Sequence, residues 1–332
     1  SAGGIAGEIP EEAAQETAAP ADASALEIPA QSYILLESNT GTVITEKDAD
    51  VQMPPASITK IMTLLLVMEA VDSGKISMED TITVSEHASS MGGSQIWLKE
   101  GEQMALTDIL KAAVVSSAND ASVALAEHVA GSEESFVNMM NERAAQLGMK
   151  NTVFHNASGL DTEGHVSSAR DIAIMAQELL KHPRILDYTT IWMDTLRGGA
   201  TELVNTNKLI RFYEGATGLK TGTTEDAGYC LCATAQRDGQ SLVAVVMGCT
   251  TFFRGKETAG FWICQLYGVR SIFLGTCFGT CPSKTWYYWP SGMRNGIHAA
   301  NFTPERTGKR GDYPDKSSGR CNGTGRTGTE FR

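Results

Sequence analysis

Pro54-Pro55-Ala56-Ser57-Ile58-Thr59-Lys60-Ile61-Met62-Thr63-Leu64-Leu65-Leu66-Val67-Met68 decides how this chain is read. The two prolines bar a helix upstream of Ala56, because a proline ring removes an N–H and crowds the preceding residue. A helix is predicted to start at Ser57 and to run to about Val71, where Asp72-Ser73-Gly74 stops it. Its residues are apolar nearly all round, which places it inside a core. Lys60 is the exception. A lysine on such a helix gives up hydration that only specific partners restore, so it is expected to have a chemical task.

Ser57 and Lys60 are three residues apart on one helix face, so the amine can reach the hydroxyl. A serine hydroxyl is a weak nucleophile that needs a base. Burial and a neighbouring cation both favour the neutral amine that can serve as one. The helix N-terminus adds a dipole and free N–H groups that favour negative charge at Ser57. Alone, Ser-x-x-Lys is better explained as a helix cap followed by a surface lysine, since patterns with two fixed positions recur by chance.

Two further clusters shift that balance: Ser117-Ala118-Asn119 in a predicted loop, and Lys220-Thr221-Gly222 on a predicted edge-like strand. In this order the three clusters form a serine acyl-transferase signature. Ser117 is a candidate proton relay to a leaving group. Asn119 is a candidate donor to a substrate amide carbonyl. Either side chain can equally cap the helix predicted from Asp120. Lys220 is the candidate cation beside Lys60, and with Thr221 it would hold a substrate carboxylate. Gly222 would let a substrate backbone approach. The N–H groups of Thr223 and Ser57 are the candidate oxyanion hole. The bland alternative for residues 220–223 is an exposed strand end before a bend. His87, His128, His155, His165, His182 and His298 are scattered and none adjoins a serine cluster, so a Ser-His-Asp triad is the weaker mechanism.

Outward from these clusters, Tyr33–Leu36 and Thr42–Ile44 read as a hairpin around Ser38-Asn39-Thr40-Gly41. Residues 79–100 read as irregular with short strands. Helices are predicted from a Thr107 cap to about Val115, from Asp120 to Ala130, from Ser135 to Leu147 with Gly148 past its end, and from Ser168 to Lys181 before Pro183. Tyr229–Ala235 and Ser241–Met247 read as a second hairpin across Asp238-Gly239. Strands thus come from both ends of this region and helices from its middle. The fold class is α+β, an α/β sandwich: an antiparallel sheet from the N- and C-terminal segments with an inserted helical layer.

Composition bounds the rest. The net charge of −12 divides into −19 over residues 1–250 and +7 over residues 251–332. The acidic part argues against nucleic acid. No run of eighteen apolar residues occurs. Residues 1–30, with six acidic side chains and no Lys or Arg, read as a disordered acidic linker after a removed signal peptide. Residues 31–250 read as the catalytic domain. Residues 251–332 hold 13 Gly and no sustained period, and read as an aberrant tail, frameshifted or mis-joined. Cys230 and Cys232 fall on one strand face and are poor disulfide partners. Cys277-x-x-x-Cys281 lacks the second half of a zinc site.

On these residues the chain resembles the serine-type D-Ala-D-Ala carboxypeptidases, the low-molecular-mass penicillin-binding proteins. The likeness covers about residues 28–248. It includes Pro55–Thr63, Ser116-Ser117-Ala118-Asn119-Asp120-Ala121, Phe154-His155-Asn156-Ala157-Ser158-Gly159-Leu160 and Gly218–Thr224. In detail these stretches resemble the sporulating, Gram-positive branch. The resemblance implies the transpeptidase-like fold shared with serine β-lactamases, and an acyl-enzyme on Ser57 formed from peptidoglycan stem peptides ending in D-Ala-D-Ala. It further implies Lys60 as base in both steps, β-lactam antibiotics as covalent inhibitors, and no metal or organic cofactor. Such proteins are exported and act at the cell envelope, often held by a C-terminal anchor. Neither that anchor nor the β-rich domain before it is legible in residues 251–332. Arg254 lies near the position of the family's carboxylate-binding arginine, but the role is not carried over to it. The alternatives are a serine β-lactamase, which needs a further carboxylate base, and a catalytically idle peptidoglycan-binding module.

Overall fold

The computed structural model describes residues 30–237 and 239–249. The readings of residues 1–30 as a linker and of 251–332 as an aberrant tail lie outside the described residues, except for Ala30, which is buried against the sheet.

The chain opens with β1 (Ser32–Glu37) and β2 (Val43–Lys47), then a 3-10 turn at Ala56–Thr59 that leads directly into α1 (Lys60–Asp72). A helical region follows: β3 (Thr81–Thr83), α2 (Glu86–Ser89), β4 (Gln103–Ala105), α3 (Leu106–Val115), α4 (Asn119–Ala130), α5 (Glu133–Gln146) and α6 (Ala169–Leu180). Next come α7 (Leu186–Thr189), β5 (Met193–Leu196), β6 (Thr201–Val204) and α8 (Leu209–Phe212). The described part ends in β7 (Ala216–Thr224), β8 (Gly228–Arg237) and β9 (Gln240–Cys249).

Five strands form one antiparallel sheet in the order β2-β1-β9-β8-β7. The first hairpin closes because the Glu37 carboxylate accepts the N–H groups of Asn39 and Thr40, while Gly41 takes φ +71°. Both faces of β1 are buried, so Tyr33-Ile34-Leu35-Leu36 is a continuous apolar run. Ile34 and Leu36 join the core shared with α1 and α3–α6; Tyr33 and Leu35 pack on the other side with Leu231, Ala244 and Tyr213.

α1 is the axis of the main core. Ile61, Met62, Leu64, Leu65 and Val67 are each at most 1% exposed, and the helix packs on α4, α5 and α6. Each such side chain contributes about 1.5–3 kcal/mol relative to exposure. The expected helix from Ser57 begins as the 3-10 turn, and the α-helix proper starts at Lys60. Thr107 does not cap α3: its N-cap is Ala105, which makes no side-chain cap bond. Gly148, at φ +75°, stands past the end of α5 as expected, and Gly131, at φ +84°, ends α4. Cys230 and Cys232 are buried free thiols on the helix-facing side of β8, and burial raises both above the ordinary thiol range. No helix among the described residues is long and apolar enough to cross a membrane.

Candidate active site

Three elements meet where the clusters lie. The 3-10 turn presents Ser57, and α1 buries Lys60 completely. The link between α3 and α4 supplies Ser117 and Asn119, and the edge strand β7 supplies residues 220–223. The turn before Ser57 is strained, with Ala56 at φ +48°. Neighbours determine that geometry. A Cβ on Gly159 would fall 1.9 Å from the Ala56 carbonyl oxygen, and one on Gly222 would fall 3.1 Å from Ser57 N. Glycine at both positions lets a loop and an edge strand close on the turn from two sides.

Lys60 Nζ has three neighbours: Ser57 Oγ at 3.0 Å, Asn119 Oδ1 at 2.6 Å and the Ser158 carbonyl oxygen at 2.6 Å. The two carbonyl oxygens can only accept. A neutral amine has two N–H donors and one lone pair, so its donors go to Asn119 and Ser158 and its lone pair faces the Ser57 hydroxyl. Burial, and next the Lys220 ammonium, push Lys60 well below the ordinary lysine range, against an opposing pull from Asp120. The Asp120 carboxylate is itself engaged by the N–H groups of Ile96 and Leu98.

The second group centres on Lys220, which is 1% exposed. Its Nζ donates to Ser117 Oγ at 2.8 Å and to the Thr221 carbonyl at 3.1 Å. Burial lowers it to about 7. Thr221 Oγ1 donates to Thr206 Oγ1 at 2.6 Å, and Thr223 lies exposed at the strand's end. The capping alternative for the middle cluster does not hold: Ala118 is the N-cap of α4 and no side chain caps it. Ser117, held at φ +59°, turns instead to Lys220, and Asn119 turns to Lys60.

Several supporting groups are given no role by the sequence reading, although Asn156 and Ser158 fall in a stretch that carries the resemblance. Ser158 contributes a backbone carbonyl, which any residue possesses. Asn156 shapes its loop by accepting the Ser158 and Gly159 N–H groups. The Gly92 and Ser94 carbonyls hold Asn119 by its side chain and its backbone. Asn207 braces β7 by donating to the Gly218 carbonyl.

Comparison with known proteins gives the family. A family described as D-alanyl-D-alanine carboxypeptidase matches residues 15–251. D-alanyl-D-alanine carboxypeptidase DacF of Bacillus subtilis (strain 168) is 52% identical over 67% of this chain and 58% of its own length. DacA of Escherichia coli (strain K12) is 37% identical over 70% of this chain and 59% of its own length. The chain therefore spans under three fifths of either relative. Among solved structures, penicillin binding protein 6B of Escherichia coli is 34% identical with a TM-score of 0.67, over 74% of this chain and 77% of that one. Penicillin-Binding Protein D2 of Listeria monocytogenes, in a cefotaxime-bound form, is 31% identical with a TM-score of 0.66, over 75% of this chain and 98% of that one. By sequence and by fold, the chain belongs to the D-alanyl-D-alanine carboxypeptidase family.

Proposed function

We propose that this chain is a serine-type D-Ala-D-Ala carboxypeptidase acting outside the cytoplasm on peptidoglycan stem peptides. The observation that carries the reading is the Lys60 amine, fully buried and 3.0 Å from Ser57 Oγ with both its donors engaged. In the reaction Ser57 Oγ attacks the carbonyl between two terminal D-alanines while its proton passes to Lys60 Nζ. The Ser57 and Thr223 N–H groups take the oxyanion. The C–N bond then breaks. The leaving amine takes a proton from the Lys60 ammonium or through the Ser117 hydroxyl, and free D-alanine departs. Lys220 and Thr221 hold its carboxylate, and Gly222 leaves room for the substrate backbone. Water, deprotonated by Lys60, hydrolyses the Ser57 ester and restores the serine. A β-lactam follows the first half of this course and remains as a slowly hydrolysed ester.

Penicillin treatment followed by peptide mapping in a mass spectrometer tests the reading. One added penicillin on the peptide carrying Ser57, absent in Ser57→Ala, is the expected result. A folded protein that takes no label would instead be an idle binding module, and rapid turnover of penicillin would make it a β-lactamase.

A further inference from the structure

His165 is 4% exposed and sits between the two segments that enclose Lys60. Its Nδ1 accepts the backbone N–H of His155 at 3.0 Å. An amide N–H only donates, so Nδ1 carries no proton and the neutral ring keeps its proton on Nε2. Nε2 lies 2.8 Å from Thr59 Oγ1 and donates to it. An edge contact with Phe154, centroids 5.8 Å apart, fixes the ring plane. Thr59 precedes Lys60 in the chain. Its Oγ1 also lies against the opposite segment, 2.9 Å from where a Cβ on Gly159 would stand. The carbonyl just before Gly159 is that of Ser158, which accepts from Lys60.

We propose that His165 is a positioning residue for the Ser57–Lys60 pair. Its bonds to Thr59 and to the His155 amide fix the separation between the nucleophile's turn and the loop that carries the Ser158 carbonyl. That separation sets where the Lys60 lone pair points. The inference rests on the acyl-transfer reading given above. It requires a neutral imidazole, because a proton on Nδ1 would face the His155 N–H donor to donor. Burial, and next His155, hold the ring down to about 4, with Asp161 opposing. The unfolded chain takes up this proton at about 6.5. The contribution is therefore complete above that value and is lost as the pH falls from there through about 4.

The test compares His165→Ala and His165→Gln with the wild type, using the rate of penicillin acylation per folded molecule and the melting temperature. Glutamine offers one carbonyl acceptor and one amide donor, so it can replace both bonds. His165→Ala is expected to slow acylation by roughly 10²-fold, the cost of displacing a reacting group by about 1 Å, without weakening the initial penicillin complex. His165→Gln is expected to recover part of that rate, and ring-nitrogen NMR of the wild type to show a proton on Nε2 alone. A folded alanine variant that acylates at the wild-type rate overturns the proposal, as does a proton found on Nδ1. If His165→Ala fails to fold, a folded glutamine variant decides: acylation well above background supports positioning, and none refutes it. A wild type that takes no penicillin at all defeats the acyl-transfer reading instead.

Discussion

Two buried lysines stand in one site, Lys60 on a helical wall and Lys220 on a sheet wall, and the walls hold them differently. On the helical wall, Lys60 meets two acceptor-only carbonyls and one hydroxyl. On the sheet wall, Lys220 meets one hydroxyl and one carbonyl. Counting donors separates their tasks. A neutral amine at Lys60 has every donor used and its lone pair directed at Ser57. An ammonium at Lys220 has two donors used and a third left for an anion. On the proposed function, the same side-chain type serves as a base on one wall and as a cation on the other. The sheet wall also acts on the helical one, because the Lys220 charge helps to keep Lys60 neutral.

The comparison breaks most sharply at Lys60→Arg. A guanidinium keeps its proton at any working pH, so it can fill the space but cannot act as the base. Acylation is expected to fall by about 10²–10⁴-fold, the usual worth of one general-base proton transfer. The decay of penicillin labelling rate measures it, and near-normal labelling would contradict the assignment of Lys60. Gly159→Ala attacks the same wall through its backbone. With φ at +84° and a Cβ placed 1.9 Å from the Ala56 carbonyl oxygen, the loop or the nucleophile's turn must move. A shift of about 1 Å at Ser57 costs about 10²-fold, read as acylation per folded molecule. A wild-type rate would show that the strained Ala56 conformation is not needed.

How much of this could be read beforehand follows from what each group is made of. Side-chain chemistry was legible: Ser57, Lys60, Ser117, Asn119 and Lys220 carry distinctive groups, and the apolar surroundings of Lys60 marked it as unusual. The sheet was legible because β8 and β9 are joined by a short turn and β1 is apolar on both faces. Backbone contributions were not. The Ser158 carbonyl and the close approach of Gly159 depend on a loop about a hundred residues from Ser57, and nothing local to either segment encodes their meeting. The start of α1 was misplaced for a similar reason. Ser57 looks like a helix residue by pattern, but contact with Gly159 and Gly222 holds its turn in 3-10 geometry. His165 was passed over because it has no neighbour of interest in sequence; Thr59 lies 106 residues away.

The smallest change is expected at Lys220→Arg, and it sharpens the comparison most. If Lys220 serves as a charge, arginine preserves the task and only the fit suffers. A loss of about tenfold, one misdirected charge-assisted hydrogen bond, is expected in kcat/KM near neutral pH. The pH profile carries the argument further. On the proposed mechanism the acid limb of the free enzyme would belong to Lys60, which must lose its proton before it can take one from Ser57. The alkaline limb would belong to Lys220, whose ammonium is lost as the pH rises through about 7. Arginine stays charged across that range, so Lys220→Arg should flatten the alkaline limb and leave the acid limb in place. An alkaline limb that survives the substitution unchanged would assign that ionisation to another group, and would leave the sheet wall without its proposed charge.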